Sequence, residues 1–281
     1  MDSPDIFDRS ARRRHRDRAV TGYRDADFLR AYMLDAIGER LDSVSRRFET
    51  MLDLGASDGR FVAPTNARVI RMDAGFGFAA ASRGVQADED RLPFADGSFD
   101  LVVSVGVLDS VGDLPGALTL ARHVLRPDGL FLAAFTGAGS LGTLRQVLQQ
   151  AEADRPAARI HPQVDVRSAG DLMMRAGFAL PVADTETLTV RYPNLFALLR
   201  DLRAMGATNA MPGRVPLRRD VLTRAASLFA DRADADGRTR ETFEIIYMTG
   251  WAPAPSQPQP ARRGSGTTSL AQALRPPRGA A

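Results

Sequence analysis

The chain contains no cysteine and no lysine. Without cysteine there is no disulfide, no thiolate nucleophile and no Cys-ligated zinc or iron–sulfur site. The composition is compatible with the reducing cytoplasm in which we expect the protein to be located. Without lysine there is no Schiff base and no lysine general base, and all 37 Lys+Arg positions are arginine, against 34 acidic residues. No stretch approaches the run of about 18 apolar residues that a membrane-spanning helix requires.

Apolar periodicity in the 281 residues, 44% of them hydrophobic, predicts one large α/β domain with appendages. Strand-like and helix-like segments alternate, which is typical of a parallel sheet covered by helices on both faces. The predicted strands are about 50–54, 68–72, 85–87, 100–105, 130–135, 179–184 and 243–250. The predicted helices between them are about 75–82, 115–125, 141–152 and 168–176.

The two ends of the chain differ in composition from its middle. Residues 1–48 are predicted to form a helical segment whose first part holds six arginines between Arg9 and Arg18, with acids interspersed. The acids argue against a transit peptide. A nucleic-acid-binding arm is the alternative to the interpretation we favour, a solvated helix that covers the active site. Residues 49–251 are predicted to form the domain, with a helical cap insertion at about 193–232, and 252–281 a disordered tail.

The stretch MLDLGASDGRF (Met51–Phe61) indicates a nucleotide-binding turn. A strand ends on Asp53, and the chain then turns through Gly55, Ser57 and Gly59, where glycine lets the backbone approach a ligand closely. The spacing is not the G-x-G-x-x-G of dinucleotide sites, and an acid at this position would repel pyrophosphate. The acid suits a ligand that carries an ammonium and a sulfonium, so the turn predicts S-adenosyl-L-methionine as the cofactor.

Three more acids follow strand ends in the expected order. Asp73 ends the next strand, where a carboxylate can accept hydrogen bonds from both ribose hydroxyls, although a turn-capping role is the alternative. Asp88 follows the third strand and can accept from the adenine amino group, and Glu89 supplies a second polar contact. Ligands of parallel sheets lie beyond the carboxyl ends of the strands, so the four acids together favour a cofactor site.

Several stretches resemble those of known families. The turn at Asp53–Gly59 and the acids after it resemble class I methyltransferases. That resemblance implies a Rossmann-like, mostly parallel seven-stranded sheet with helices on both faces and an antiparallel last strand. The stretches ADEDRLPFADGSFDLVVSVGVL, TVRYPNLFALLRDLRAMGATNA and TFEIIYMTGWAP are similar to a narrower group from alphaproteobacteria and mitochondria. Its mitochondrial member is a complex I assembly factor described as a protein-arginine hydroxylase. The group is also similar to biotin-pathway malonyl-carrier-protein methyltransferases.

The resemblance breaks after the fourth strand. Where the family reads Leu-His-Trp-Val-Asn-Asp-Leu-Pro, this chain reads LDSVGDLP, so Asp109 and Ser110 replace the histidine and the tryptophan. These positions face the reacting atoms, which makes Asp109 a candidate general base and Ser110 a weaker polar candidate. A solvated loop carboxylate is the alternative for Asp109. Ser57 stands where the commonest pattern of this turn has glycine. The short link from Gly59 to Arg68 predicts a helix of about one turn.

The resemblance also implies residues that contact the methyl acceptor. Arg145, Arg159 and Arg167 match arginines of the family, and Tyr192 lies in its TVRY stretch. Arginines beside a cleft can hold an anionic acceptor by paired hydrogen bonds, or they are surface charges. His161 lies in a predicted loop without partners at metal-ligand spacing, and no metal site is predicted.

Three functions remain open at this point. The main hypothesis is a methyltransferase that acts on a small molecule or a protein. The second is a hydroxylase-like assembly factor whose partner is a respiratory complex I subunit, and the third is a non-catalytic protein that keeps the cofactor as a structural ligand. The lost His-Trp pair somewhat favours the third. No nucleic-acid partner and no membrane span are expected, and the sequence does not name the acceptor.

Overall fold

A single seven-stranded sheet organises the computed structural model, which describes residues 6–63 and 67–257 together with Ser269. The strand order is β3-β2-β1-β4-β5-β7-β6. Strands β1 to β5 pair in parallel, whereas β7 runs antiparallel to both β5 and β6. The strands are β1 Thr50–Leu54, β2 Arg68–Asp73, β3 Val85–Gln86, β4 Phe99–Val105, β5 Leu125–Thr136, β6 Ala179–Tyr192 and β7 Thr239–Trp251.

Eight α-helices accompany these strands in the described residues. Polar N-caps start several of them: Asp8, Asp113, Asp165 and Asn194 each accept a hydrogen bond from a backbone N–H of the first turn. The helices are α1 Arg9–Ala19, α2 Phe28–Asp42, α3 Phe76–Ala81, α4 Leu114–Val124, α5 Gly142–Ala151, α6 Val166–Arg175, α7 Leu195–Ala204 and α8 Arg219–Ala230.

The sheet is buried on both faces because its central strands carry apolar side chains on both sides. Every residue of β4 is buried, as expected for the middle of a parallel sheet. One face packs against α4 and α6, with Leu118 and Met173 in its core. The other packs against α2 through Met33 and Ile37. The carboxyl ends of β1 to β4 therefore meet at one edge of a rigid platform.

A separate apolar cluster supports a helical cap over that edge. It joins α5, α7 and α8, with Val147, Leu198 and Phe229 fully buried at its centre. Strands β6 and β7 form a long antiparallel pair from Ala179 to Trp251. The chain leaves β6 at Tyr192, forms α7 and α8 of the cap, and returns into β7 at Thr239. The segment after α7 reaches back to α1, where the N–H of Asp8 donates to the carbonyl of Ala210 at 2.7 Å.

These observations confirm the predicted fold class and refine its boundaries. Strands β5 to β7 extend beyond their predicted ranges. For β6 and β7 the cause is their long antiparallel pairing, which adds residues that an apolar run does not mark; β5 begins earlier because Leu125 pairs in parallel with Phe99 of β4. The described residues between β1 and β2 form turns and irregular chain and no helix, so the predicted helical turn is wrong for that part of the link. Apart from 252–257 and Ser269, the predicted disordered tail lies outside the described residues. No helix among the described residues is both long and apolar enough to cross a membrane.

Candidate cofactor and acceptor site

The predicted cofactor residues meet at the carboxyl edge of the sheet. Asp53 is the penultimate residue of β1, Asp73 is the last residue of β2, and Asp88 and Glu89 follow β3. All four side chains are buried. Parallel pairing of β1 with β2 and of β2 with β3 brings these carboxylates together, as the strand pattern predicts.

The turn after β1 has the close geometry that its glycines indicate. Gly55 has φ +83°, and a Cβ there would lie 2.4 Å from Cγ2 of Val107, so only glycine fits. Ser57 also takes a positive φ, 50°, a conformation that is uncommon for a residue with a Cβ. Its N–H donates to Oδ2 of Asp73 at 2.9 Å, which ties the turn to the end of β2.

Asp73 is fully engaged by protein donors. Its Oδ1 accepts from Nε of Arg16 at 2.7 Å and from the N–H of Gly75 at 2.8 Å. Its Oδ2 accepts from Nη2 of Arg16 at 2.5 Å and from the N–H of Ser57. Burial acts to raise the pKa of Asp73, but the Arg16 guanidinium and the two backbone donors hold it below its usual value. A carboxylate offers about four lone-pair sites, so no free acceptor remains for a ribose.

The neighbouring acids are held in the same way by other arginines of α1. Nη1 and Nη2 of Arg12 donate to Glu89 at 2.6 and 2.9 Å. Nη2 of Arg13 donates to Asp88 at 2.6 Å, and Arg9 pairs with Asp90. These pairs are charge-assisted and two-pronged, the strong form of such contacts.

One stripe of α1 therefore covers the predicted cofactor site. Its four arginines, at positions 9, 12, 13 and 16, follow the i, i+3, i+4, i+7 spacing of a single helix face. Sequence reasoning noted the arginines without noticing this spacing, which is the signal that could have identified the stripe. Because the stripe fills the acceptor atoms predicted for ribose and adenine, a nucleoside can use them only after the guanidiniums withdraw.

Asp53 differs from the other acids of this edge in its hydrogen bonding. It is 0% exposed, and neither of its carboxylate oxygens has a hydrogen-bond partner within the described part of the chain. The nearest cation is Nη2 of Arg30, 3.7 Å from Oδ1. Burial raises the pKa of Asp53 to about 6; Arg30 and Arg71 oppose this shift, while Asp73 and Asp58 add to it.

We expect the raised pKa of Asp53 to make the free energy of unfolding depend on pH. The folded state keeps this proton up to about pH 6, whereas the unfolded chain releases it near 3.8. The stabilisation from the neutral carboxyl is thus complete below pH 3.8 and lost as the pH rises through 6. The free energy of unfolding of the wild type, relative to Asp53→Asn, should fall by about 3 kcal/mol between pH 4 and 7. Chemical denaturation of both proteins measures this, and a pH-independent difference would contradict it.

A small cavity lies next to the cofactor edge, after β4. It has a volume of about 40 Å³, and Asp109, Ser110 and His161 line it together with residues of α1 and of the segment after α7. Asp109 accepts a hydrogen bond from the hydroxyl of Thr136. Ser110 Oγ accepts from Nε of Arg12 at 3.1 Å. The two predicted catalytic candidates therefore share one cavity, with Asp109 anchored from β5.

His161 is a cavity residue that sequence reasoning missed. Its Nε2 accepts from the N–H of Ala210 at 2.8 Å, and its ring meets the ring of Phe7 edge-on with centroids 4.7 Å apart. Burial lowers its pKa, although Asp109 acts in the opposite direction. The chain separation of His161 from Asp109 gives no local pattern, so only the fold reveals that they are neighbours.

The structure does not bring the four predicted substrate residues together. Arg145 donates to Gln163. Arg159 is neutralised by Glu152 and donates to a backbone carbonyl at 2.6 Å. Arg167 is exposed on α6, and Tyr192 is buried in the apolar cluster of the cap. None of the four lines the Asp109 cavity, because internal partners or their elements hold them elsewhere. A role in binding substrate remains only a prediction.

Within the described residues, no three His, Asp or Glu side chains form a group that could hold a metal ion.

Comparison with known proteins gives matches over nearly the whole chain. Residues 52–133 match the family model described as a methyltransferase domain. The chain is 34% identical to the mitochondrial arginine-hydroxylase NDUFAF5 of Danio rerio, over 95% of this chain and 88% of that protein. It is 32% identical to a malonyl-[acyl-carrier protein] O-methyltransferase of Laribacter hongkongensis, over 88% of this chain and 90% of that one.

A solved structure with the same fold is the YcgJ protein of a Bacillus species. It superimposes with a TM-score of 0.55 at 15% identity and covers 78% of this chain and 99% of its own. At that identity the likeness concerns the fold alone. It supports the Rossmann-like fold described above.

Proposed function

This chain belongs to the class I S-adenosylmethionine-dependent methyltransferase superfamily, and on that premise we propose that it methylates an acceptor held beside Asp109. The observation that carries the proposal is the arrangement of the sheet edge. Buried acids lie at the carboxyl ends of β1 and β2 and just after β3, and the Asp109 cavity opens after β4. The acceptor is a small molecule or a protein segment. The superfamily and the fold support methyl transfer. The residues that would contact the methyl acceptor are part of the proposal.

The residues at this edge fit S-adenosylmethionine in charge. The two unpartnered oxygens of buried Asp53 suit an ammonium group. Asp73 suits the ribose hydroxyls once Arg16 has withdrawn from it, and Asp88 suits the adenine amino group once Arg13 has done so. Gly55 lets the backbone approach closely. When bound, the cofactor would supply a methyl group on a sulfonium, which needs no metal to be transferred.

The protein's own contribution is orientation, exclusion of water and a place for a proton. Holding two reactants in line can lower a barrier by up to about 7–11 kcal/mol. The Asp109 cavity is walled by α1 and by the segment after α7, which shields it from bulk solvent while α1 is in place. Asp109 is the carboxylate that can accept a proton from the acceptor, and Thr136 fixes its orientation from β5.

Asp109→Asn is expected to slow methyl transfer by roughly a hundredfold or more, because a general base contributes about 10²–10⁴ to a rate. Cofactor affinity should stay unchanged, since Asp109 contacts none of the acids after β1 to β3 in the hydrogen bonds of the described residues. Thr136→Val is the matched control: it removes only the hydroxyl that positions Asp109 and should have a smaller effect. Equal rates for Asp109→Asn and the wild type would reject the base role.

The activity itself is tested with S-adenosylmethionine that carries an isotopic methyl group. The full-length protein is incubated with this cofactor and with an extract of cells that lack the protein. Products are followed by their isotopic label and by mass. Transfer of the label to a small molecule or a protein supports the proposal. Cofactor binding without labelled product, across extracts prepared with and without membranes, would contradict it.

A second candidate is hydroxylation of an arginine in a protein partner. The similarity to the mitochondrial arginine-hydroxylase over almost the full length favours it, and such a reaction requires an oxidant as a co-substrate. The same incubation separates the two functions, because hydroxylation adds one oxygen to a peptide and leaves the methyl label on the cofactor. A respiratory complex subunit is the partner that this second candidate would take.

A further inference from the structure

The helical cap contains a groove that the site described above does not use. Its walls are α7 and the residues 207–209 and 214–217, and α5 contributes to its floor. Its volume is about 760 Å³, within the range of about 300–1,000 Å³ that is typical of sites for small organic ligands. The apolar side chains of this cap groove include Leu144, Leu148, Phe196, Leu199, Leu202 and Leu217.

The cap groove has a buried floor and an exposed apolar rim. Leu144 and Leu202 are buried, whereas Phe196 on one wall and Val215 on the other are 53% and 54% exposed. Apolar side chains that are exposed together beside a concave surface mark places where a ligand or a partner binds. An apolar group that enters the groove would cover both of these side chains.

The charges at the rim are of one sign. Among the described residues that line the cap groove, four are arginine and none is acidic. Two of them, Arg159 and Arg214, pair with acids elsewhere. Arg200 and Arg203 are exposed and form no ion pair or side-chain hydrogen bond within the described residues. Asp201, next to Arg200 in the chain, offsets part of that charge but does not line the groove.

Other cations surround Arg203 and add to this excess of positive charge. Burial and the charge of Arg203 lower the pKa of Arg18, whose Nη2 donates to Oγ1 of Thr208 in the groove wall at 3.4 Å. Burial and the charges of Arg18 and Arg214 likewise lower the pKa of His15. An anion placed at the rim would relieve this repulsion, so the local field favours a negatively charged occupant.

The polar groups of the opposite wall are already engaged within the protein. Oδ1 of Asn209 accepts from the N–H of Met211, and its Nδ2 donates to the carbonyl of Ala158, both at 2.9 Å. The carbonyl of Val215 accepts from Nη1 of Arg159 at 2.6 Å. An extended peptide would bring backbone N–H and C=O groups that need partners, whereas an alkyl chain needs none.

We propose that the cap groove binds a single-chain anionic amphiphile, a long-chain carboxylate, with its alkyl chain on the apolar floor and its headgroup on Arg200 and Arg203. Phe196, Leu199, Arg200 and Arg203 are three or four positions apart and therefore share one face of α7. The two apolar side chains contact the alkyl chain, and the two guanidiniums donate charge-assisted hydrogen bonds to the carboxylate.

This site is distinct from the cavity beside Asp109. Ala207 and Thr208 line both spaces, so the segment that carries them separates the two. The Asp109 cavity has a volume of about 40 Å³, which is too small for an alkyl chain. The inference therefore concerns a second site and does not depend on methyl transfer.

Decanoate and 1-decanol, which share an alkyl chain and differ in charge, test the proposal in calorimetric titrations. The wild type should bind decanoate at a single saturable site and more tightly than octanoate or hexanoate, because each added methylene buries apolar surface. The double variant Arg200→Gln, Arg203→Gln should bind decanoate roughly tenfold more weakly or worse, since charge-assisted hydrogen bonds are lost. Its affinity for decanol should change by less than about twofold, because decanol depends on the apolar floor.

Two single variants complete the design. Arg175 is exposed on α6 and does not line the cap groove, so Arg175→Gln removes one positive charge and should leave both affinities unchanged. Phe196→Ala shortens an exposed side chain of the rim and should weaken decanoate and decanol alike, by several-fold. Both positions are exposed on helices, so neither substitution should prevent folding.

Selective loss of decanoate in the double variant, together with loss of both ligands in Phe196→Ala, would establish the site. Failure of the wild type to bind decanoate, or an affinity that does not depend on chain length, would overturn the proposal. An equal effect of Arg175→Gln would also overturn it, because it would show general attraction by surface arginines. A helical peptide of leucine and glutamate serves as a competing probe. If it bound in the groove and decanoate did not, the groove would be assigned to an acidic protein partner instead.

Discussion

Replacing Arg16 with alanine is expected to tighten the binding of S-adenosylhomocysteine at least tenfold, although it removes a buried ion pair. Arg16 fills two acceptor sites of Asp73, and the ribose needs those sites. Hydrogen bonds to charged groups contribute about 1.5–3 kcal/mol, and about 1.4 kcal/mol corresponds to a tenfold change in affinity. A cofactor that no longer has to displace Arg16 therefore binds more tightly. Calorimetric titration of both proteins measures the change.

Two further measurements separate competition for Asp73 from a general effect of charge or of stability. Arg14 lies on the exposed side of α1, so Arg14→Ala removes the same charge and should leave the affinity unchanged. The free Arg16→Ala protein should unfold at a lower temperature, because a buried acid loses its partner, at a penalty of about 3–5 kcal/mol. Its stabilisation by ligand should be correspondingly larger. Weaker binding by Arg16→Ala would show that this arginine helps to hold the cofactor.

Asp73→Ala is expected to weaken S-adenosylhomocysteine by roughly ten- to a hundredfold when introduced into the Arg16→Ala protein. In that background the carboxylate is free for the ribose, and the loss of a charged acceptor appears at its full size, about 1.5–3 kcal/mol. In the wild type the loss should be smaller. In the wild type, removing Asp73 also releases Arg16 from its ion-pair partner. Loss of the ribose contact weakens cofactor binding and release of the competing Arg16 strengthens it, so the two effects on affinity oppose each other.

The four proteins form a double-mutant cycle, in which coupling is the departure from additivity. We expect strong coupling between Arg16 and Asp73 for cofactor affinity. Asp90→Ala is the matched control, since Asp90 pairs with Arg9 of the same helix but is not among the predicted ligands of the cofactor. Additive effects of Arg16 and Asp73 would show that they do not compete for the ribose.

The sequence predicted the sheet edge well because its information is local. A strand reads as an apolar run, and an acid directly after a parallel strand must lie at its carboxyl end. Asp53, Asp73, Asp88 and Glu89 could therefore be placed together from three separate strand ends. The same logic placed Asp109 beside them, after β4.

The pairing of side chains could not be predicted in this way. Arg16 meets Asp73 across 57 positions of the chain, and His161 reaches the Asp109 cavity from a loop that has no periodic pattern. Arg159, whose family match predicts a substrate contact, pairs with a carboxylate seven residues away, Glu152, and that role stays a prediction. Such contacts depend on how separate elements pack, and a single sequence carries no signal of that packing.

The contacts of α1 also have a consequence for the order of events in catalysis. The same segment that covers the cofactor edge holds Phe7 against His161, and the residue after Phe7, Asp8, is bonded to Ala210, whose N–H fixes that histidine. Withdrawing α1 to admit the nucleoside thus dismantles one wall of the cavity beside Asp109. With the cofactor bound, the returning helix can complete this wall only if Arg16 and Arg13 stay turned away from Asp73 and Asp88. For the proposed methyl transfer we therefore expect a compulsory order, with the cofactor entering first and its demethylated product leaving last.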